Sequence, residues 1–96
     1  MQPSRFEFDP VKSTANLAKH GIGFTSAERL WDDPDLLVLP SNFPFEPRML
    51  AIGVLEGKHW TAVFTERAGR IRIISVRRSR HEEWKIYEKE KASHDR

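Results

Sequence analysis

The stretch "GRIRIISVRRSRHEEW", residues 69–84, decides how this chain is read. Six arginines fall between Arg67 and Arg80 with no acid among them, and three isoleucines are threaded through the same segment. A solvated basic tail has no use for isoleucine, so residues 70–77 read as a strand held by its apolar side chains. Strict alternation places Arg70, Arg72, Ile74 and Val76 on one side and Ile71, Ile73, Ser75 and Arg77 on the other. Directly after it, Ser79 and Glu82 have the spacing of a capping box, which opens a charged helix running to about Lys91 with Trp84 and Tyr87 one turn apart.

Working back from that strand, residues 48–55 and 59–65 are also rich in β-branched and aromatic residues. The connections "EGK" and "ERAG" are of hairpin length and contain glycine. A further strand at 36–39 precedes the proline-rich "PSNFPFEP" at 40–47. At the start, "RFEFD" (5–9) alternates as a short first strand, and Asp9-Pro10 supplies a cap and a proline suited to the first helical position. That helix runs from Pro10 to about His20 and closes at Gly21. "TSAE" (25–28) has the form of a second capping box, and Asp32-Asp33-Pro34 stops the helix it opens. The order β-α-α-β-β-β-β-α gives an α+β fold: an antiparallel β-sheet meander with two N-terminal helices packed on it and a C-terminal helix.

Length and composition bound the function. The 96 residues suit a single domain, 1–96, with an ordered core of about 5–91, and 39% hydrophobic with 31% charged residues is the composition of a globular chain. There is no cysteine, which excludes disulfides, thiolate metal sites and a thiol nucleophile. The apolar runs are too short to span a bilayer, so the expected location is cytoplasmic with no membrane partner. Net charge is +2, but residues 1–48 hold 5 Lys/Arg against 7 Asp/Glu, while residues 49–96 hold 11 against 7. A basic half points to a polyanion.

Arginine offers a planar fork of donors that stays charged and grips phosphate through two bonds, so several on one rigid strand could hold an RNA phosphodiester. Alternatively, they pair with Asp32, Asp33, Glu66, Glu82 and Glu83 and keep the surface soluble. Lys12, Asn16 and Lys19 share a helical stripe, with His20 at the helix end. There it is either a proton-transfer group or a cation meeting the helix dipole. No histidines are spaced as a metal pair and the glycines form no phosphate loop, so no metal and no cofactor is expected. Trp31, Trp60 and Trp84 read as core anchors.

Taken in order, "FEFDPVKSTANLAKHGIGF", "RMLAIG" and "VFTERAGRIRIISVRRS…YEKE" resemble the BrnT family of toxin–antitoxin ribonucleases from about Phe6 to Glu88. The resemblance implies a RelE-like fold and metal-independent RNA cleavage that arrests translation. It also implies neutralisation by a BrnA-type antitoxin, a ribbon-helix-helix DNA-binding protein through which alone the pair reaches operator DNA. The K-H-G motif carries over Lys19 and His20, and the strand motif Arg72, Arg77 and Arg78. Together with charge these make His20, Arg72, Arg77 and Lys19 the candidate catalytic set and Arg67, Arg70, Arg78 and Lys12 the candidate RNA contacts. Glu66 and Tyr87 match family positions with open roles. The chain departs from the family's usual pattern in having Phe8 for tryptophan and an acidic last helix. The rival class is a non-catalytic module that binds nucleic acid or an acidic protein segment with the same surface.

Overall fold

The computed structural model describes residues 4–42, 44–45 and 47–94; Phe43 and Glu46 of the proline-rich loop lie outside the described residues. The elements in chain order are β1 (Phe6–Glu7), α1 (Pro10–His20), α2 (Phe24–Ala27) running into a 3-10 helix (Glu28–Asp32), β2 (Leu37–Pro40), β3 (Met49–Leu55), β4 (Lys58–Arg67), β5 (Arg70–Arg78) and α3 (His81–His94). One five-stranded sheet has the order β1-β5-β4-β3-β2. Strands β2 to β5 form the antiparallel meander, and β1 joins it in parallel beside Ile71 and Arg72 of β5.

Local chemistry explains most of the boundaries. Asp9 caps α1 by accepting the Val11 N–H at 2.9 Å, and Gly21, at φ 79°, closes it. The two hairpins turn on Glu56-Gly57 and Ala68-Gly69, all four with φ between 49° and 78°, the two-residue turn whose twist matches that of paired strands. Strands β4 and β5 therefore run closer to the turn than "ERAG" suggested, and Glu66 and Arg67 belong to β4.

Two capping expectations are corrected. Thr25 and Glu28 form no capping box; α2 begins two residues earlier, with Gly23 at its cap, and the Phe24 N–H is taken by Ser13 Oγ of α1 at 2.8 Å. On α3 the box slides by one residue, for Glu83 rather than Glu82 reaches back to a backbone N–H, that of Arg80, at 2.8 Å. Ser79 is engaged elsewhere, its hydroxyl 2.8 Å from that of Thr61 on β4.

One face of the sheet packs on α1, α2 and the 3-10 helix. Phe24, Ala27 and Leu30 are fully buried against Ala51, Ala62 and Val76. An edge-to-face series runs Phe6–Trp31–Phe64 at 5.2 and 5.3 Å between centroids. The other face is covered in part by α3. Tyr87, 1% exposed, lies edge-on to His59 and donates its hydroxyl to Asp33 Oδ2 at 2.6 Å. Trp84 is not the core anchor expected: it is 37% exposed, with its ring beside those of His59 and His81.

The strict alternation expected of β5 does not hold. Val63 pairs with Ser75 and Phe64 with Ile73, so a bulge at Ile74 inserts one extra residue. Every side chain beyond it changes face. Val76 joins Ile71 and Ile73 in the core, while Arg77, paired with Thr61, comes round to the face that carries Arg70 and Arg72.

Candidate nucleic-acid interface

The bulge gathers Arg70, Arg72 and Arg77 on the α3 side of the sheet, with Arg67 opposite Arg70 at the hairpin end. Their surroundings differ. Arg70 donates to the carbonyls of Ser4 and Phe6 at 3.0 and 2.6 Å and so fastens the N-terminal segment. Arg72 has a loose partner, Glu7 at 4.0 Å, and Arg67 is exposed at the rim.

Arg77 is the most precisely held. Its Nη1 and Nη2 donate to the two oxygens of Glu83 at 2.7 and 2.8 Å. Glu83 also accepts from the Arg80 N–H and from Thr61 Oγ1 at 3.0 Å. Burial works to raise the Glu83 carboxyl, but the hydrogen bonds from Arg77, the Arg80 backbone and Thr61 and the Arg77 charge outweigh it and hold the group at about 2. The same pair lifts the Arg77 guanidinium above its ordinary value. Among the described residues the Nε–H of Arg77 has no acceptor. An end-on grip by Glu83 thus leaves the side edge of the fork available to an anion.

Arg77 lies on a cleft of about 410 Å³ between α3 and the segment after β2. Arg48, Arg77, Arg80 and Glu83 line it, over a floor of Leu50 and Val63.

His20 stands elsewhere. With Arg29, Lys58, Trp60 and Arg78 it lines a cleft of about 440 Å³ between the end of α1 and the β3–β4 turn. Arg78 lies 5.4 Å from the centre of the Trp60 ring and donates to the His59 carbonyl at 3.3 Å. The two clefts share no lining residue. Consecutive arginines at the end of β5 thus serve opposite sides of the sheet, Arg77 one and Arg78 the other. Of the candidate catalytic set, His20 lines one cleft and Arg77 the other, while Arg72 and Lys19 line neither.

The remaining candidates are dispersed. Lys12 and Lys19 are exposed on α1, and Glu66 is exposed on β4. Tyr87 is buried; desolvation first, then the hydrogen bond to Asp33, raises its hydroxyl well above the ordinary range. Asn16 does not share a solvent-facing stripe with Lys12 and Lys19. It is 8% exposed and bonds to the carbonyls of Ile22 and Val76 at 2.8 and 2.9 Å and to the Val76 N–H at 3.2 Å. This amide reads β5 as a neighbouring strand would, just past the bulge.

Sequence reasoning left Asn16 and the Arg80 lining without a role and gave Glu83 only a generic pairing role. A glutamate at the third position of a helix was the available sign for Glu83; a lone Asn on a helix carries no comparable sign. Among the described residues no group of three His, Asp or Glu side chains is placed to hold a metal ion, and no helix is long and apolar enough to cross a membrane.

A search of curated proteins finds no match for this chain. A family model described as the ribonuclease toxin BrnT of type II toxin–antitoxin systems matches residues 8–83. That span runs from the end of β1 through both clefts to Glu83, and the chain belongs to the BrnT family of ribonuclease toxins.

Proposed function

We propose that the chain is a metal-independent endoribonuclease with a RelE-like arrangement, acting in the cytoplasm to arrest translation and neutralised by a BrnA-type ribbon-helix-helix antitoxin. The observation that carries the choice of site is the bulge at Ile74, which sets Arg70, Arg72 and Arg77 on one face beside an open cleft. In the reaction the RNA 2′-hydroxyl attacks the adjacent phosphorus, the bond to the 5′-oxygen breaks, and a 2′,3′-cyclic phosphate and a free 5′-hydroxyl result. Negative charge accumulates on the phosphorane oxygens. The open edge of Arg77 and the loosely paired Arg72 supply fixed positive charge there, each worth roughly 3 kcal/mol by comparison with an oxyanion-hole donor.

A second reading has its own observation. His20 and Arg78 line one cleft, so a proton-transfer group and a cation adjoin there without Arg72 or Arg77. In that reading Lys19 positions the strand and the arginine face only guides RNA toward the cleft.

Incubating the purified chain with end-labelled RNA in EDTA tests the activity. Cyclic-phosphate ends support it; intact RNA retained by the protein replaces it with a binding module. Arg72→Ala and Arg77→Ala locate the site: about 100-fold slower cleavage supports the arginine face, and parental rates move the reaction to the His20 cleft.

A further inference from the structure

We propose that the outward face of α1 is a docking surface for the antitoxin, taking an amphipathic segment of it whose apolar side chains are flanked by acidic ones. The inference rests on the toxin reading above. Its ground is a helix whose polarity is inverted. Towards the sheet α1 turns Ser13, Asn16 and His20; towards solvent it turns Val11, Thr14, Ala15 and Ala18, all exposed, while Leu17 lies to one side and lines the His20 cleft. Val11 is 76% exposed, whereas Asn16 is 8% exposed. A surface helix ordinarily buries its apolar side.

The polar inner side has local explanations, since Asn16 pairs with the edge of β5 and Ser13 Oγ caps α2. Among the described residues nothing covers the apolar outer side. At 100° per residue Val11, Ala15 and Ala18 fall within about 60° of one another, and small alanines let another backbone approach closely. The α1 axis is about 16 Å long, enough for three turns of a partner helix.

Charge selects the occupant. Lys12 and Lys19 stand together along one border of the apolar strip, both exposed, with no acid on α1 to balance them. A two-fold pairing of α1 with itself would bring four lysines into one interface, which like-charge repulsion opposes. RNA satisfies lysines but leaves the apolar strip wet. An amphipathic protein segment with acidic borders satisfies both, and in a type II system the antitoxin is the protein partner at hand.

The test uses the full chain and the antitoxin encoded with it. Val11→Glu and Ala18→Glu touch neither cleft, and both are expected to keep the parental melting temperature and RNA cleavage. Each is expected to weaken antitoxin binding by about 100-fold, because a carboxylate is forced into an apolar contact, and to leave cells unprotected by the antitoxin. Val11→Ser, a milder change, is expected to weaken binding by about 10-fold and serves if a glutamate variant misfolds. Parental affinity in folded variants overturns the proposal. A chain that self-associates through these positions, as seen by sedimentation, overturns it in favour of a second copy. Failure of the parental chain to bind the antitoxin sinks the toxin reading and this one together, an outcome visible before any variant is made.

Discussion

Replacing Glu83 by Gln tests whether one carboxylate organises the arginine cleft. Glu83 receives four hydrogen bonds, two from Arg77, one from the Arg80 N–H and one from Thr61, and its side chain is 12% exposed. Its pKa falls from 4.5 to about 2. At 1.36 kcal/mol per unit, a drop of about 2.5 units sets an upper limit near 3.4 kcal/mol. The cleft is open to water and Arg77 is partly exposed, so solvent screening lowers this to about 1–2 kcal/mol. A depressed folded-state pKa stabilises the protein above the unfolded value, and that stability is lost as pH falls from about 5 towards 2. Chemical denaturation of both proteins at pH 7 and pH 3 should therefore show Glu83→Gln about 1–2 kcal/mol less stable at pH 7, with much of the gap closed at pH 3. Its RNA cleavage should fall as well, since an amide cannot hold Arg77 end-on through two accepting oxygens. Equal stability at pH 7, or two acid limbs that run parallel, would refute the argument.

Other outcomes follow from particular contacts. Asn16→Ala leaves the Val76 N–H and the carbonyls of Val76 and Ile22 without their partner, at a cost of about 2–4 kcal/mol in denaturant melts. Ala68 sits at φ 49° before Gly69, where asparagine is favoured, so Ala68→Asn should stabilise by about 0.5–1 kcal/mol, read as a rise in melting temperature. His20→Gln should slow cleavage by about 100-fold if the His20–Arg78 cleft is the reaction centre, because an amide cannot pass on a proton. A parental rate in the folded variant assigns the chemistry to the arginine face.

The elements were legible where the signal is local. Asp9-Pro10, Gly21 and the two glycine-bearing turns act within a few residues of themselves, and the helix and strands they bound are close to those expected. The capping boxes were misread because the decisive partners come from other elements. Ser13, eleven residues away, satisfies Phe24, and Thr61, from the neighbouring strand β4, occupies Ser79. Spacing finds groups able to bond locally; it does not reveal a nearer claimant brought by the fold. Trp84 was misread for a related reason. Its turn-mate Tyr87 has Asp33 to anchor it, and with Glu83 bound to Arg77 and Thr61 this orients the helix with Trp84 at the border.

The candidate site turned on a single residue of register. Arg72 and Arg77 are five apart, an odd interval, so an unbroken strand separates them, and only the insertion of Ile74 returns them to one face. The mark of that insertion in the sequence is the doublet Ile73-Ile74, which also suits a strand buried on both sides. What selects the bulge is long-range. Val76 must face the helical core, and the outward N–H and carbonyl of the same residue are claimed by Asn16, sixty residues earlier. The arginines that give the chain its charge are thus placed by an amide that carries none. It follows that Asn16 and Arg77 act on one arrangement: loss of Asn16 should slow cleavage at the arginine face even in protein that remains folded, whereas Arg77→Ala, which lines only that cleft, separates it from the His20 cleft.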